Sequence, residues 1–160
     1  MRSLLDINVI IALLDRGHVM HRAAIHWMEQ EVNHGWATCP ITQNCVLRIM
    51  SQPAYPNHRP VAQVAERLEE ACNHASHVFW PEQISLLNKG LIRWERMLGP
   101  RQITDSYLLA LAVTHGGRFV SFDQRICVDL VLDASQAHFA IIELPKKAGL
   151  KNQVRAGGTR

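Results

Sequence analysis

Apolar side chains follow two rhythms along this chain, and the way those rhythms alternate predicts its fold. Short apolar runs at residues 2–5, 36–39, 77–80, 118–122 and 138–144 read as buried strands. Between them lie longer stretches with helical character. Residues 7–14 are apolar without alternation, and Val19, Ala23, Ala24, Trp27, Met28 and Val32 recur at helical spacing over about 18–34, with Gly35 suited to the C-terminal cap. Ile41 and Val46 stand at the two staple positions around Thr42, so the next helix is expected to start with Thr42 as its cap and to reach about Ser51. The same pattern recurs at Ile103, Thr104 and Leu108, which predicts a capped helix from Thr104 to His115, ended by Gly116-Gly117. Pro60 should open a helix over 61–74 after the proline-rich loop 52–60, and residues 82–98 are expected to be helical in two pieces around Gly90. Strands alternating with helices in this order imply a single α/β domain: a mostly parallel central sheet flanked by helices on both faces.

Charge adds one feature to that picture. Of the 17 basic residues, Lys146, Lys147, Lys151, Arg155 and Arg160 follow the last acid, Glu143, so the body before them holds 12 basic residues against 14 acids. The domain is therefore expected over 1–145, and 146–160 as a flexible basic tail that either attracts polyanions or is merely solvated. No apolar stretch approaches the roughly 20 residues of a membrane span. Met1-Arg2-Ser3 leads straight into a strand without the apolar core of a signal peptide. Cys39, Cys45, Cys72 and Cys127 are scattered with no C-x-x-C pair, which suits reduced thiols in the cytoplasm.

Candidate chemistry sits where the apolar segments end. Asp6 follows Leu4-Leu5, Asp105 precedes the run Tyr107–Val113, and Asp123 closes Arg118–Phe122. In a parallel sheet, ligands bind beyond the carboxyl ends of the strands, so three acids at such edges can face one crevice. Carboxylates gathered there repel one another unless a cation joins them, and a hard divalent ion prefers oxygen ligands. Such a site would hydrolyse a phosphodiester. Taken singly, each acid also suits a structural role: Asp6 as a helix cap, Asp105 as a first-turn acid complementing the helix dipole, Asp123 as a turn residue.

Four segments carry a resemblance to a known family: Leu5-Asp6-Ile7-Asn8-Val9-Ile10-Ile11-Ala12-Leu13, Thr38-Cys39-Pro40-Ile41-Thr42-Gln43-Asn44, Ile103-Thr104-Asp105-Ser106-Tyr107-Leu108-Leu109-Ala110-Leu111-Ala112, and Phe119-Val120-Ser121-Phe122-Asp123. The chain resembles the PIN-domain nucleases, specifically the VapC-type toxins of toxin–antitoxin pairs. That resemblance implies a PIN-like fold and a Mg²⁺- or Mn²⁺-dependent endoribonuclease, with Asp6, Asp105 and Asp123 as metal ligands. It also implies a VapB-like antitoxin that blocks the site, an RNA substrate, and a homodimer. One position departs from the family pattern: Gln43 stands where a fourth acid, a glutamate, is usual. An amide cannot act as a base, so the expectation is retained activity that demands more metal, with Gln43 orienting a water.

Around this set, Asn8 either orients Asp6 or a metal-bound water, or closes an Asx turn. Thr104 is expected mainly as a cap, and Ser121 either as a support for the acids or simply as a strand residue. Among the arginines, Arg101 and Arg125 flank the aspartates and are the preferred RNA-phosphate contacts. Two rival readings remain open. One is an inactive PIN domain that binds RNA or protein, suggested by Gln43. The other is a phosphatase using Asp6 as nucleophile, for which Asn8 stands where a second acid is needed.

Overall fold

The computed structural model describes residues 1–143; the expected basic tail at 146–160 and the boundary at 145 lie outside the described residues. Five strands form one sheet: β1 (Ser3–Leu5), β2 (Trp36–Thr38), β3 (His77–Phe79), β4 (Arg118–Ser121) and β5 (Phe139–Ile141). Every pairing among them is parallel, in the order β3-β2-β1-β4-β5. The chain moves outward from β1 through β2 to β3, then crosses back to lay β4 on the other side of β1. The order therefore reverses between β1 and β4, and a crevice opens at such a point beyond the strand ends.

The two-residue period of a strand explains the layers. Leu4, Ala37 and Phe119 face one side of the sheet and pack with Leu108, Leu109 and Leu111. Their neighbours Leu5, Trp36 and Val120 face the other, against Val9, Ile10, Val46, Val64 and Leu68. Four helices cover that second face: α1 (Ile7–Leu14), α2 (His21–Glu31), α3 (Pro40–Met50) and α4 (Val61–Cys72). A fifth, α5 (Gln102–Thr114), lies on the first face and is buried from Ser106 to Ala112, as a helix apolar on all sides must be. Gly117 lets α5 turn tightly into β4: a Cβ there would lie 2.5 Å from the Trp80 ring and 2.7 Å from the Arg2 carbonyl.

Several boundaries differ from expectation. Helix α3 begins at Pro40, not Thr42; Cys39 takes the cap position and Thr42 lies one turn in, where its hydroxyl accepts from the Cys39 N–H and donates to the Cys39 carbonyl. Proline at the first helical position needs no donor there, so the helix can start earlier. Pro60 precedes α4 as its extended cap residue rather than opening it. Helix α5 likewise winds up before Thr104, because Gly99-Pro100 already turns the chain and Gln102 accepts from the Leu98 N–H. The two helical pieces expected over 82–98 are absent. That stretch holds a 3₁₀ turn at Trp94–Arg96 and a bridge from Ile92 to Val131. Backbone bonds from Arg93 N–H to Leu130 and from Leu132 N–H to Leu91 pull it onto the 126–134 segment, and Gly90 at φ 79° breaks any helical run. Tertiary pairing overrides local propensity here.

Candidate active site

Asp6 leaves β1 at the point where the sheet order reverses. Its N–H still donates to the Val120 carbonyl of β4, while its side chain caps α1 by accepting from the Ile7 N–H at 2.7 Å. The carboxylate is therefore fixed from both sides and only 6% exposed. Its second oxygen accepts a 2.6 Å bond from the Ser121 hydroxyl at the end of β4. Ser121, fully buried, is the hub of this corner: its Oγ also accepts from Asn8 Nδ2 at 3.1 Å and from the Asp123 N–H at 3.0 Å. Through one hydroxyl, the strand-one acid, the α1 asparagine and the loop after β4 share a common anchor.

The charges in this corner conflict. Burial pushes the Asp6 carboxyl up from its ordinary 3.8 to about 6; the charges of Asp105 and Asp123 push the same way, against the Ser121 and Ile7 hydrogen bonds. Asp105, in the first turn of α5, is also raised, chiefly by burial and then by the charge of Asp123. Asp123 moves the other way. The Arg125 guanidinium grips both its oxygens, at 2.9 and 2.8 Å, and the Arg125 N–H adds a third bond, so its carboxyl is held below the usual range. Arg125 is 81% exposed in this arrangement.

The charges of Asp105 and Asp123 both reach Asp6, and that of Asp123 reaches Asp105, so the three acids lie near one another beyond the strand ends. Among the described residues, no three carboxylate, imidazole or thiol groups are gathered tightly enough to grip a metal as they stand. Asp123 is turned to Arg125 instead. The donor set nevertheless fits a hard divalent cation: all the candidate ligands are oxygens, and two carboxylates are raised by burial and mutual charge. Asn8 Oδ1 is also buried without a hydrogen-bond partner beside them. A cation would relieve each of these strains.

The other candidates divide. Asn8 and Ser121 sit against Asp6. Arg125 reaches the acids as the counter-ion of Asp123. Arg101 is exposed just before α5, with no side-chain hydrogen bond among the described residues. Thr104 is exposed and caps nothing, so its expected role at this helix start is not met. Gln43 donates its amide to Thr38 Oγ1 at 2.9 Å and lies 3.9 Å from Cys72 Sγ of α4. Thr38 Oγ1 in turn meets His77 Nε2 at 2.9 Å. An amide at this position satisfies a buried hydroxyl between β2 and α4.

Asp15, at the other end of α1, drew no notice in the sequence and proves to be a buried hub. It accepts from Tyr55 Oη, from Asn57 Nδ2 through both oxygens, and from the Gly17 N–H. The Asp-Arg-Gly turn at 15–17 was its one local signal.

Comparison with known proteins agrees with this architecture. The PIN-domain family profile matches residues 3–128. Ribonuclease VapC44 of Mycobacterium tuberculosis is 46% identical over 142 residues, covering 89% of this chain and 100% of the relative. Ribonuclease VapC39 of the same species is 38% identical over 127 residues, covering 79% of this chain and 91% of the relative. Among solved structures, VapBC2 from Rickettsia felis, bound to a DNA fragment from its promoter, aligns with a TM-score of 0.51 at 12% identity, over 77% of this chain and 89% of that one.

Proposed function

The chain belongs to the PIN-domain family, among its VapC-type members, and from that premise we propose that it is a divalent-metal-dependent endoribonuclease, the toxin of a VapBC-like toxin–antitoxin pair. The observation that carries this reading is the electrostatic coupling of Asp6 to Asp105 and Asp123 at the reversal point of the sheet.

Asp6, Asp105 and Asp123 are the residues that would hold Mg²⁺ or Mn²⁺. When bound, such an ion supplies a more acidic water and offsets negative charge on the phosphodiester. The protein's own groups do the rest. Ser121 holds one Asp6 oxygen and the Ile7 N–H the other, so Asp6 has a single orientation. Asn8 Oδ1, without a partner in the protein, offers an acceptor for a water. Asp105 accepts no side-chain hydrogen bond among the described residues, and burial and the charge of Asp123 raise its carboxyl above the ordinary range, which leaves it open to an ion or a water. Arg125, paired with Asp123, would be available to meet a phosphate oxygen if Asp123 held the ion, with Arg101 as a second contact. Gln43 supports β2 against α4, and any water it orients is held by its carbonyl oxygen, since its amide N–H is engaged.

The expected partners are a VapB-like antitoxin, an RNA strand and a second copy of the chain. Among the described residues, no helix is long and apolar enough to cross a membrane, and the four cysteines are free, which suits the cytoplasm. The bidentate Arg125–Asp123 pair favours one rival, an inactive binding module in which the crevice is already neutralised. One experiment separates them. Purified protein is incubated with structured RNA in Mn²⁺ or in chelator, beside Asp105→Asn. Cleavage that needs both the ion and Asp105 supports the nuclease; RNA left intact by the wild type in Mn²⁺ supports the binding module.

A further inference from the structure

At the end of α1 remote from Asp6, a cavity of about 200 Å³ is lined by Asp15, Arg16, Gly17, Met50, Asn57, Arg59 and Arg67. Its three arginines come from three separate segments: the α1–α2 turn, the loop before α4, and α4 itself. None of them is in a salt bridge among the described residues. The one acid in the wall is Asp15, both of whose oxygens already accept bonds from Tyr55, Asn57 and Gly17. Three guanidiniums against one engaged carboxylate leave the cavity positive. The positive lining continues outward. One adjoining hollow sets Arg16, His21, Arg67 and Glu70 beside the apolar Leu13, Leu14 and Ile25, and another is lined by Arg59, Gln63, Glu66 and Arg67.

We propose that this arginine-lined cavity is a second anchoring site for RNA, gripping a backbone phosphate away from the aspartate crevice. Guanidinium forks match phosphate oxygens two at a time, and Met50 is the one apolar side chain among the residues of the wall. The wall is rigid for the purpose. Asp15 pins the 51–60 loop to α1, and a Cβ on Gly17 would fall 2.5 Å from Asn57 Nδ2, so the turn must stay bare. Helix α1 has eight residues, so at 1.5 Å per residue the two sites lie roughly 12 Å apart along it. A strand a few nucleotides long can span that distance, with one phosphate in the acidic crevice and another in the basic cavity. The opposite charges of the two sites divide the work: the cavity supplies attraction that the carboxylate crevice lacks. This inference rests on the ribonuclease reading above.

The test measures binding of a fluorescein-labelled single-stranded oligoribonucleotide to the full chain in chelator, where no cleavage occurs, across a salt series. Arg59→Gln combined with Arg67→Gln is expected to weaken binding at least tenfold at low salt. The slope of log K against log salt should become shallower by roughly 0.7 for each phosphate the variant no longer neutralises. Arg59→Lys with Arg67→Lys should keep the slope, and Arg22→Gln, on the exposed surface of α2, should change neither quantity. Should the double glutamine variant fail to fold, Arg16→Gln is read in the same assay. Unchanged affinity and slope in these variants overturns the inference. So does loss of binding to a labelled polyglutamate peptide with RNA binding intact, which would assign the cavity to an acidic protein segment. Failure here is separable from failure of the nuclease reading: wild-type protein that cuts RNA in Mn²⁺, with variants that bind it as tightly, removes the second site alone.

Discussion

The two ends of α1 each carry a buried aspartate, and the two behave oppositely. Asp6 is 6% exposed and Asp15 is 7% exposed, so surface exposure alone does not separate them, although Asp6 lies much deeper in the protein. At Asp15, burial pushes the carboxyl up, but the Tyr55, Asn57 and Gly17 donors outweigh it and the pKa falls below the ordinary value. At Asp6, two donors do not outweigh burial and two neighbouring acids, and the carboxyl rises to about 6. One carboxylate is satisfied by its own protein. The other is left in conflict, and a buried acid in conflict within a crevice is where external chemistry belongs. The helix between them is thus fastened at its Asp15 end and poised at its Asp6 end.

Substitutions can break this contrast. The largest effect is catalytic. Asp105→Asn, which removes the acid that presses on Asp6, should lower the rate of RNA cleavage by about 10²–10⁴-fold, measured with saturating Mn²⁺. Next is stability. Asp15→Ala strands Tyr55 Oη and Asn57 Nδ2 without their acceptor and should cost about 2–4 kcal/mol in denaturant unfolding. Asp6→Asn, in chelator near pH 7.5, should instead stabilise the fold, by on the order of 1–3 kcal/mol, since it removes the ionised acid from the crowded corner.

The pH dependence sharpens the same comparison. Between 3.8 and about 6 the native state holds a proton on Asp6 that the unfolded chain has lost, so this group's contribution to stability falls as pH rises through that window. Asp15 has the opposite sign: its contribution is present above the ordinary carboxylate range and is lost as pH falls below it. Unfolding of the metal-free protein followed from pH 3 to 7 should therefore show a slope that flattens in Asp6→Asn and a low-pH loss that diminishes in Asp15→Ala. The smallest effect is at Arg125. Arg125→Gln frees Asp123 and should tighten Mn²⁺ binding severalfold by calorimetry; weaker binding would mean that the guanidinium assists the ion instead of competing with it.

Much of this was legible in the linear pattern, because the sheet is buried on both faces and its strands stand out as uniformly apolar runs flanked by prolines and glycines. Asp6 and Asp123 could be placed because each directly follows such a run. Where the sequence misled, a long-range contact or a permissive residue decided. Thr42 and Thr104 carry good cap chemistry, yet Pro40 and the Gly99-Pro100 turn let winding start earlier. Residues 82–98 have helical spacing, yet Ile92 pairs with Val131, almost forty positions away. The site shows the same limit. Ser121 was legible as a support, whereas its service to Asp6, Asn8 and Asp123 together depends on β1 and β4 being neighbours. Gln43 invites grouping with the acids because it stands where the family's fourth acid is usual; its hydrogen bond to Thr38 depends on how α3 packs against the end of β2. Asp15, Tyr55 and Asn57 carry no joint signal, since forty residues separate the acid from its donors.

The central claim is that Asp6, Asp105 and Asp123 together make one divalent-cation site. Calorimetric titration of Mn²⁺ into the chelator-stripped full chain tests it most directly, alongside Asp6→Asn, Asp105→Asn and Asp123→Asn. The account predicts saturable binding by the wild type that is weakened at least tenfold by each substitution. Binding that persists unchanged in all three variants would contradict it.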